Sequence, residues 1–268
     1  MKIIKMKTTV LLTVMFLLPF ELPAITKQDT LNEDSLKKAD IINQEVYQLS
    51  YIEREDGTEE YEVNMLVSER FIRIDETGEN SGYIVYDDKE KTIYSVSHFD
   101  KSVLVIKEQI FSEGSSPVKA YVEYLELADA PSVSGKPIFN YRVYTKGIIN
   151  NASAEESEKT CTEIQLVEGL LPEVSKILQN YQKVVSGQQV KMTDNKITEM
   201  QTDCYYVDQI YNLGSYYEKG LPIQEWHSNE RFRLLTGYDK ISVDPAKFKV
   251  PESYRQFSVD NTSKILLP

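Results

Sequence analysis

Two histidines and two cysteines are all that this chain brings to nucleophilic, imidazole or soft-metal chemistry. A Ser-His-Asp or Cys-His arrangement needs a positioned imidazole. His98 closes a strand-like segment, and His227 follows Trp226 in another. Each is expected to be a partly exposed strand residue. Cys161 and Cys204 stand apart from both histidines, without zinc-ligand spacing. The sequence has no G-x-S-x-G, no phosphate-binding glycine loop, no G-x-G-x-x-G and no H-E-x-x-H. No catalytic residue, metal ligand or cofactor is therefore predicted.

Carboxylates are plentiful, so pairs of them carry little information. Glu53, Glu55, Asp56, Glu59 and Glu60 cluster around one turn, and Asp87 and Asp88 precede another. They are expected to be solvated turn charges. A paired-acid hydrolase, which needs two carboxylates facing across a cleft, is the least favoured reading. Asp75-Glu76-Thr77-Gly78-Glu79-Asn80 lacks the spacing and closing Glu of a calcium loop. Arg70 and Arg73 fall on opposite strand faces. Arg73 is a candidate for meeting an anionic headgroup, and a pairing with a neighbouring acid is the competing role.

The chain has 268 residues, 41% hydrophobic and 27% charged, with 42 acidic against 30 basic side chains and a net charge of -12. Its pI is about 4.8 and its mean hydropathy -0.39. That composition excludes a polytopic membrane protein and a wholly disordered chain. The negative field disfavours nucleic acid as a partner.

Residues 1–24 read as an export signal. Lys2, Lys5 and Lys7 precede an apolar run, Val10–Phe20, too short for the roughly 20 residues that span a bilayer. Cleavage is expected after Ala24, which gives a periplasmic or secreted protein without stable membrane insertion. An oxidising compartment suits two cysteines. A Cys161–Cys204 bridge is expected, with two buried free thiols as the alternative. The loop it would close is worth roughly 4 kcal/mol in the chain-entropy model.

The elements follow from periodicity. Residues 25–44 are polar, with a short helix expected near Asp34 from Leu36, Ala39, Ile42 and Val46. From residue 45 the period becomes two. Glu45–Glu55 and Glu59–Val67 flank Asp56-Gly57, a hairpin signal. Further strands are predicted at Glu69–Asp75, Tyr83–Asp87, Thr92–His98, Ser102–Phe111, Val118–Leu127 and Pro137–Lys146. Ile149–Thr160 reads as a polar loop. A helix over 170–186 carries Leu170, Leu171, Val174, Ile177, Leu178, Tyr181, Val184 and Val185 on one stripe. Glu173, Lys176, Gln179, Gln182 and Lys183 lie on the other. Gly187 is taken as its stop. Strands at Ile223–Ser228, Glu230–Leu235 and Lys240–Val243 precede a Pro-punctuated end. The fold class is α+β, mainly antiparallel: a curved, half-open, barrel-like sheet with a helix in or over its concave face. Residues 45–268 form one domain.

Several segments together carry a resemblance. Arg70-Phe71-Ile72-Arg73-Ile74-Asp75 leads to Ile84-Val85-Tyr86-Asp87 and then Lys89–Val96. The cysteine segment, the helix, Gly220-Leu221-Pro222 and the closing Asp244-Pro245, Phe248, Val250-Pro251 and Tyr254 follow. This order resembles periplasmic proteins of the LolA/LppX-like fold, nearest to a poorly characterised exported bacterial branch, over about residues 45–257. The resemblance implies a concave sheet that shields a lipid or the acyl chain of a lipoprotein, without covalent chemistry. Burial would supply about 0.8 kcal/mol per CH₂. Ile72, Ile74, Val85, Val96 and Val105 are the candidate lining, with packed core as their alternative role. The chain's 18 tyrosines could rim such a mouth, or serve as ordinary strand residues. The alternative function is an envelope module that binds a protein partner through a packed sheet.

Overall fold

Alternating apolar and polar residues make strands here, and one face of each strand finds a common helix. The computed structural model describes residues 43–75, 82–111, 116–148, 156–193 and 202–258. All belong to one compact unit, Ile42–Pro268. The strands are β1 (Gln44–Arg54), β2 (Tyr61–Val67), β3 (Phe71–Asp75), β4 (Tyr83–Asp87), β5 (Thr92–Ser97), β6 (Ser102–Lys107), β7 (Ala120–Glu126), β8 (Ile138–Ile148), β9 (Glu156–Val167), β10 (Leu221–His227), β11 (Phe232–Val243) and β12 (Arg255–Ser258). The main helix α1 covers Pro172–Thr193. A three-residue helix α2 (Asp203–Tyr205) runs into a π-helical turn, Tyr206–Tyr211, and a 3₁₀ turn, Ser215–Glu218.

One open sheet holds the twelve strands in the order β12-β6-β5-β4-β3-β2-β1-β11-β10-β9-β8-β7. Every pairing is antiparallel except β12 with β6. The helix α1 touches β3, β5, β6 and β10. On a flat sheet β6 and β10 would be about 34 Å apart at the usual strand spacing. A helix is only about 10–12 Å across. The sheet must therefore curl around α1, and the expected curved, helix-bearing antiparallel architecture is the one observed.

Register assigns the faces. Ile72, Tyr86, Ile93 and Ile106 are cross-strand neighbours on the helix side. They join Leu49, Met65, Val143, Ile164, Leu166, Val174, Leu178 and Val184 in the main core. The opposite side of the same strands is also covered. Tyr83, Val85, Val96 and Val103 pack with Val250 and Tyr254, and Phe248 packs on Val46 and Leu66. The end of the chain thus straps the outer face. Asp244 caps its 3₁₀ turn, Pro245–Phe248, and Tyr83 Oη donates to the Lys249 carbonyl at 2.8 Å. The strap covers Leu66, Val85, Val96 and Val103 on that face, while Glu62 and Asn64 of β2 stay exposed.

The remaining differences have local causes. Val46 belongs to β1 and not to a helix; the rest of that predicted helix, the export segment and nearly all of the 75–80 loop lie outside the described residues. Glu156–Thr160, read as loop, begins the twelve-residue β9. Its first residues are polar because they extend beyond the helix-covered core. The two strands expected over 230–243 are one, β11, whose pairing with β1 shifts register between Ser50 and Tyr51. Phe111 is not in β6, because residues 108–111 leave the sheet to cross α1. They cross at Gly187, where a Cβ would sit 2.7 Å from the Gln109 carbonyl oxygen. Gly187 is therefore a contact glycine inside a continuous helix and does not stop it. The disulfide joins Cys161 on β9 to Cys204 on α2, with Cα atoms 4.9 Å apart. No described helix is long and apolar enough to cross a membrane.

Candidate functional site

The six residues singled out for ligand contact are split between two faces. Ile72 is fully buried in the main core, and Ile74 packs on its margin. Val85, Val96 and Val105 belong to the outer cluster beneath the chain's end. Arg73 shares their face. Its guanidinium bonds Asp75 and the Lys247 carbonyl, and lies 3.8 Å over the Tyr83 ring. Arg70 holds Asp87 through two hydrogen bonds. These positions do not form one lining.

The helix side offers little empty space. Part of the polar stripe of α1 is enclosed: Gln179 and Gln182 are buried, while Glu173, Lys176 and Lys183 are exposed. Asn180 Nδ2 donates to Asp88 at 2.8 Å, and Tyr86 Oη donates to the same oxygen. Tyr181 meets Tyr86 edge-on.

The densest chemistry is a buried ionic cluster between the 203–218 segment and β10–β11. His227 Nδ1 lies 2.7 Å from Asp208 Oδ1, and its Nε2 lies 3.4 Å from Glu225 Oε2. Arg231 Nη2 lies 2.9 Å from the same Nε2. Tyr216 Oη donates to Glu225 at 3.1 Å, and Thr162 Oγ1 donates to Asp208. Arg233 reaches Glu225 at 3.7 Å and Glu53 at 2.7 Å. Glu53 is thus an ion-pair partner and not a solvated turn charge.

Electrostatics follow from that geometry. Burial opposes ionisation of Glu225, but His227, Arg233 and Arg231 outweigh it and hold the carboxyl at about 2. Burial also opposes protonation of His227. Hydrogen bonds to Asp208 and Glu225 outweigh burial and the nearby Arg231, and raise its pKa. Arg231 can donate to Nε2 only while the ring is neutral; on protonation that nitrogen turns to Glu225.

This cluster contains acids and a base, yet only 1% of the His227 side chain is exposed. A general base must reach its substrate within hydrogen-bond distance, and this one is sealed. The cluster fastens Asp208 to β9 and β10 and Tyr216 to β10. Among the described residues, no three His, Cys, Asp or Glu side chains gather as a metal site. The expectation of a partly exposed His227 fails because both ring nitrogens have internal partners. Asp208, Glu225, Arg231 and Arg233 were missed, although Glu225-Trp226-His227 and Arg231-Phe232-Arg233 alternate with the strand period. In register Glu225 faces Arg233.

Two shallow clefts flank α1. One, of about 230 Å³, lies among residues 108–111, Gln179, Lys183 and the 210–218 segment. The other, of about 350 Å³, lies at the head of α1 between Gly169, Ser175, Lys176, Tyr217 and Lys219. The hydrogen bond from Gln179 Nε2 to Glu218 Oε1, 2.8 Å, separates them.

The last feature is an edge. β7 pairs with β8 from Ala120 opposite Thr145 to Glu126 opposite Phe139. It ends the sheet, so among the described residues its other side has no partner strand. Val122 is 50% and Leu125 66% exposed, one on each face. Behind them Tyr124 stacks on Phe139, and Tyr121 on Tyr144.

No protein-family model matches the sequence, and a comparison with curated proteins finds no match. Among solved structures, an uncharacterised conserved protein from Thermus thermophilus aligns over 80% of this chain and 90% of its own, at 8% identity and TM-score 0.38. PNGF-II, in two crystal forms, aligns over 83% of this chain at TM-scores of 0.38 and 0.35 and identities of 8% and 7%. The chain spans about a third of PNGF-II's length, 32% and 33% in the two forms. Likeness at this level carries no argument about function.

Proposed function

We propose that this protein is an extracytoplasmic, non-enzymatic interaction module, and that it works by adding a strand of a partner protein to β7. The observation that carries the reading is the open β7 edge, with its exposed Val122 and Leu125. Outward N–H and C=O groups of an edge strand form a ready template for another chain. Sheets usually guard such an edge with charge, proline, a bulge or a cover, and of these β7 carries only the charges of Glu123 and Glu126. β7 has no proline and pairs with β8 without a register shift. The chain's net charge of -12 selects a basic, extended segment with apolar residues on both faces. The disulfide and the signal-like start support a place outside the cytoplasm.

The apolar-ligand reading, built on a LolA/LppX-like sheet, makes a different demand. It requires α1 to leave the space where Val174, Leu178 and Val184 are buried. Each such side chain contributes about 1.5–3 kcal/mol by burial, so opening would need a ligand of large apolar area.

Native mass spectrometry of the exported protein, purified without detergent from its own cells, separates the two. The module reading predicts one stoichiometric protein partner and no lipid in an organic extract of the sample. A discrete lipid adduct would overturn it in favour of the carrier.

A further inference from the structure

The cleft at the head of α1 contains a group that the β7 reading leaves unused. Ser175 lines this cleft, is 4% exposed, and its Oγ has no hydrogen-bond partner. Buried hydroxyls are nearly always satisfied, because an unmet one retains its full desolvation cost. Two lysines line the same cleft and a third stands beside Gly169. Lys176 and Lys219 line the cleft, and Lys136 Nζ lies 3.2 Å from where a Cβ on Gly169 would stand. Among the described residues none of the three is ion-paired. One acid, Glu218, also lines the cleft, so the two lining lysines exceed the lining carboxylates by one. Glu218 accepts from Gln179, and Glu168 accepts from the Tyr124 hydroxyl. The cleft is also lined by the first two turns of a 22-residue helix, whose N-terminal end favours negative charge.

We propose that this cleft binds a small organic anion through a carboxylate or phosphate group. Lys176 and Lys219 supply the charge, and the Ser175 hydroxyl, sealed in the unliganded cleft, turns outward to donate to the anionic oxygen. About 350 Å³ is at the lower end for ligand pockets and suits a compact molecule. Such a site stands out in a chain of net -12, where charge alone would repel the ligand. The inference does not depend on what β7 binds.

Titration of ¹⁵N-labelled protein with inorganic phosphate and with succinate, at ionic strength matched by sodium chloride, tests it. The expected result is saturable shifts confined to the amides of Gly169, Ser175, Lys176, Lys219 and Gly220. A preference between the two probes identifies the anion class. Lys176→Gln and Lys219→Gln, both at exposed positions, should each weaken binding several-fold. Ser175→Ala gives the sharper result, because its two effects have opposite sign. Without ligand it should raise Tm by about 2–4 °C, since an unmet hydroxyl is removed. With phosphate or succinate it should lose affinity. Shifts that fail to saturate, that chloride reproduces, or that persist in both lysine variants would overturn the site.

Discussion

The two halves of the sheet share one helix but end differently. In the β2–β6 half both faces are packed: α1 covers one, and the strap through Phe248, Val250 and Tyr254 covers much of the other. Beyond β6 the sheet ends in the four-residue β12, its other edge strand. In the β7–β9 half only the helix side is packed. The outer face of β8 and β9 carries polar pairs such as Arg142 with Glu123 and Glu158, and β7 is left open. The difference shows where the chain spends residues on closure and where it leaves backbone available. Beside the open half, the sheet is fixed internally by the His227 cluster and the disulfide instead of by a strap.

The comparison predicts a hierarchy of effects. Glu225→Ala should be the most damaging, because Arg233 and His227 lose a buried counter-charge. A loss of about 3–5 kcal/mol is expected in urea unfolding. A cost under 1 kcal/mol would mean that water enters the cluster. Replacing both Cys161 and Cys204 with Ser should cost at most about 4 kcal/mol for the 43-position loop, with the same unfolding assay as readout. On the strapped half, Phe248→Ala should cost about 3 kcal/mol and should speed amide exchange in β2 and β3 without disturbing β8.

Stability should also form a dome with pH, because the cluster titrates at both ends. Glu225 is lowered from 4.5 to about 2. Its contribution is therefore complete above pH 4.5 and is lost as pH falls toward 2, on the order of 3 kcal/mol. His227 is raised above 6.5. Its contribution is complete below pH 6.5 and is lost as pH rises through the folded value. The maximum is expected between pH 4.5 and 6.5. In His227→Gln the alkaline limb should vanish and the acidic limb should shrink, because Glu225 keeps only Arg233 and Arg231 as cations; an unchanged alkaline limb would assign it to another group. The smallest effect on stability is expected at β7. Leu125→Lys should change it by less than about 0.5 kcal/mol while abolishing partner binding, as read by co-purification.

Much of this architecture was legible in the sequence. Period-two alternation located β1 to β8 within a few residues. Asp56-Gly57 marked its turn, where Gly57 takes φ +73°. The strap was opaque, since Phe248 and Tyr254 stand in a proline-broken segment with no period. The start of β9 was hidden by polar residues that a strand at the margin of the core can carry. The site was the least legible part. Ile72 and Val85 look alike in sequence, yet only the register shows that they face opposite clusters. The His227 network depends on Asp208, which a π-helical turn delivers from 19 residues away. No local pattern announces that approach.

Photo-crosslinking in the native cell envelope tests the central claim most directly. A photoreactive residue would replace Leu125 on β7 and, in a separate protein, Phe99 on the strapped half. Phe99 is 83% exposed, so both positions are open to contact. The account predicts one discrete protein adduct from position 125 and none from position 99. Equal adducts from both positions, or none from position 125, would contradict docking at the β7 edge.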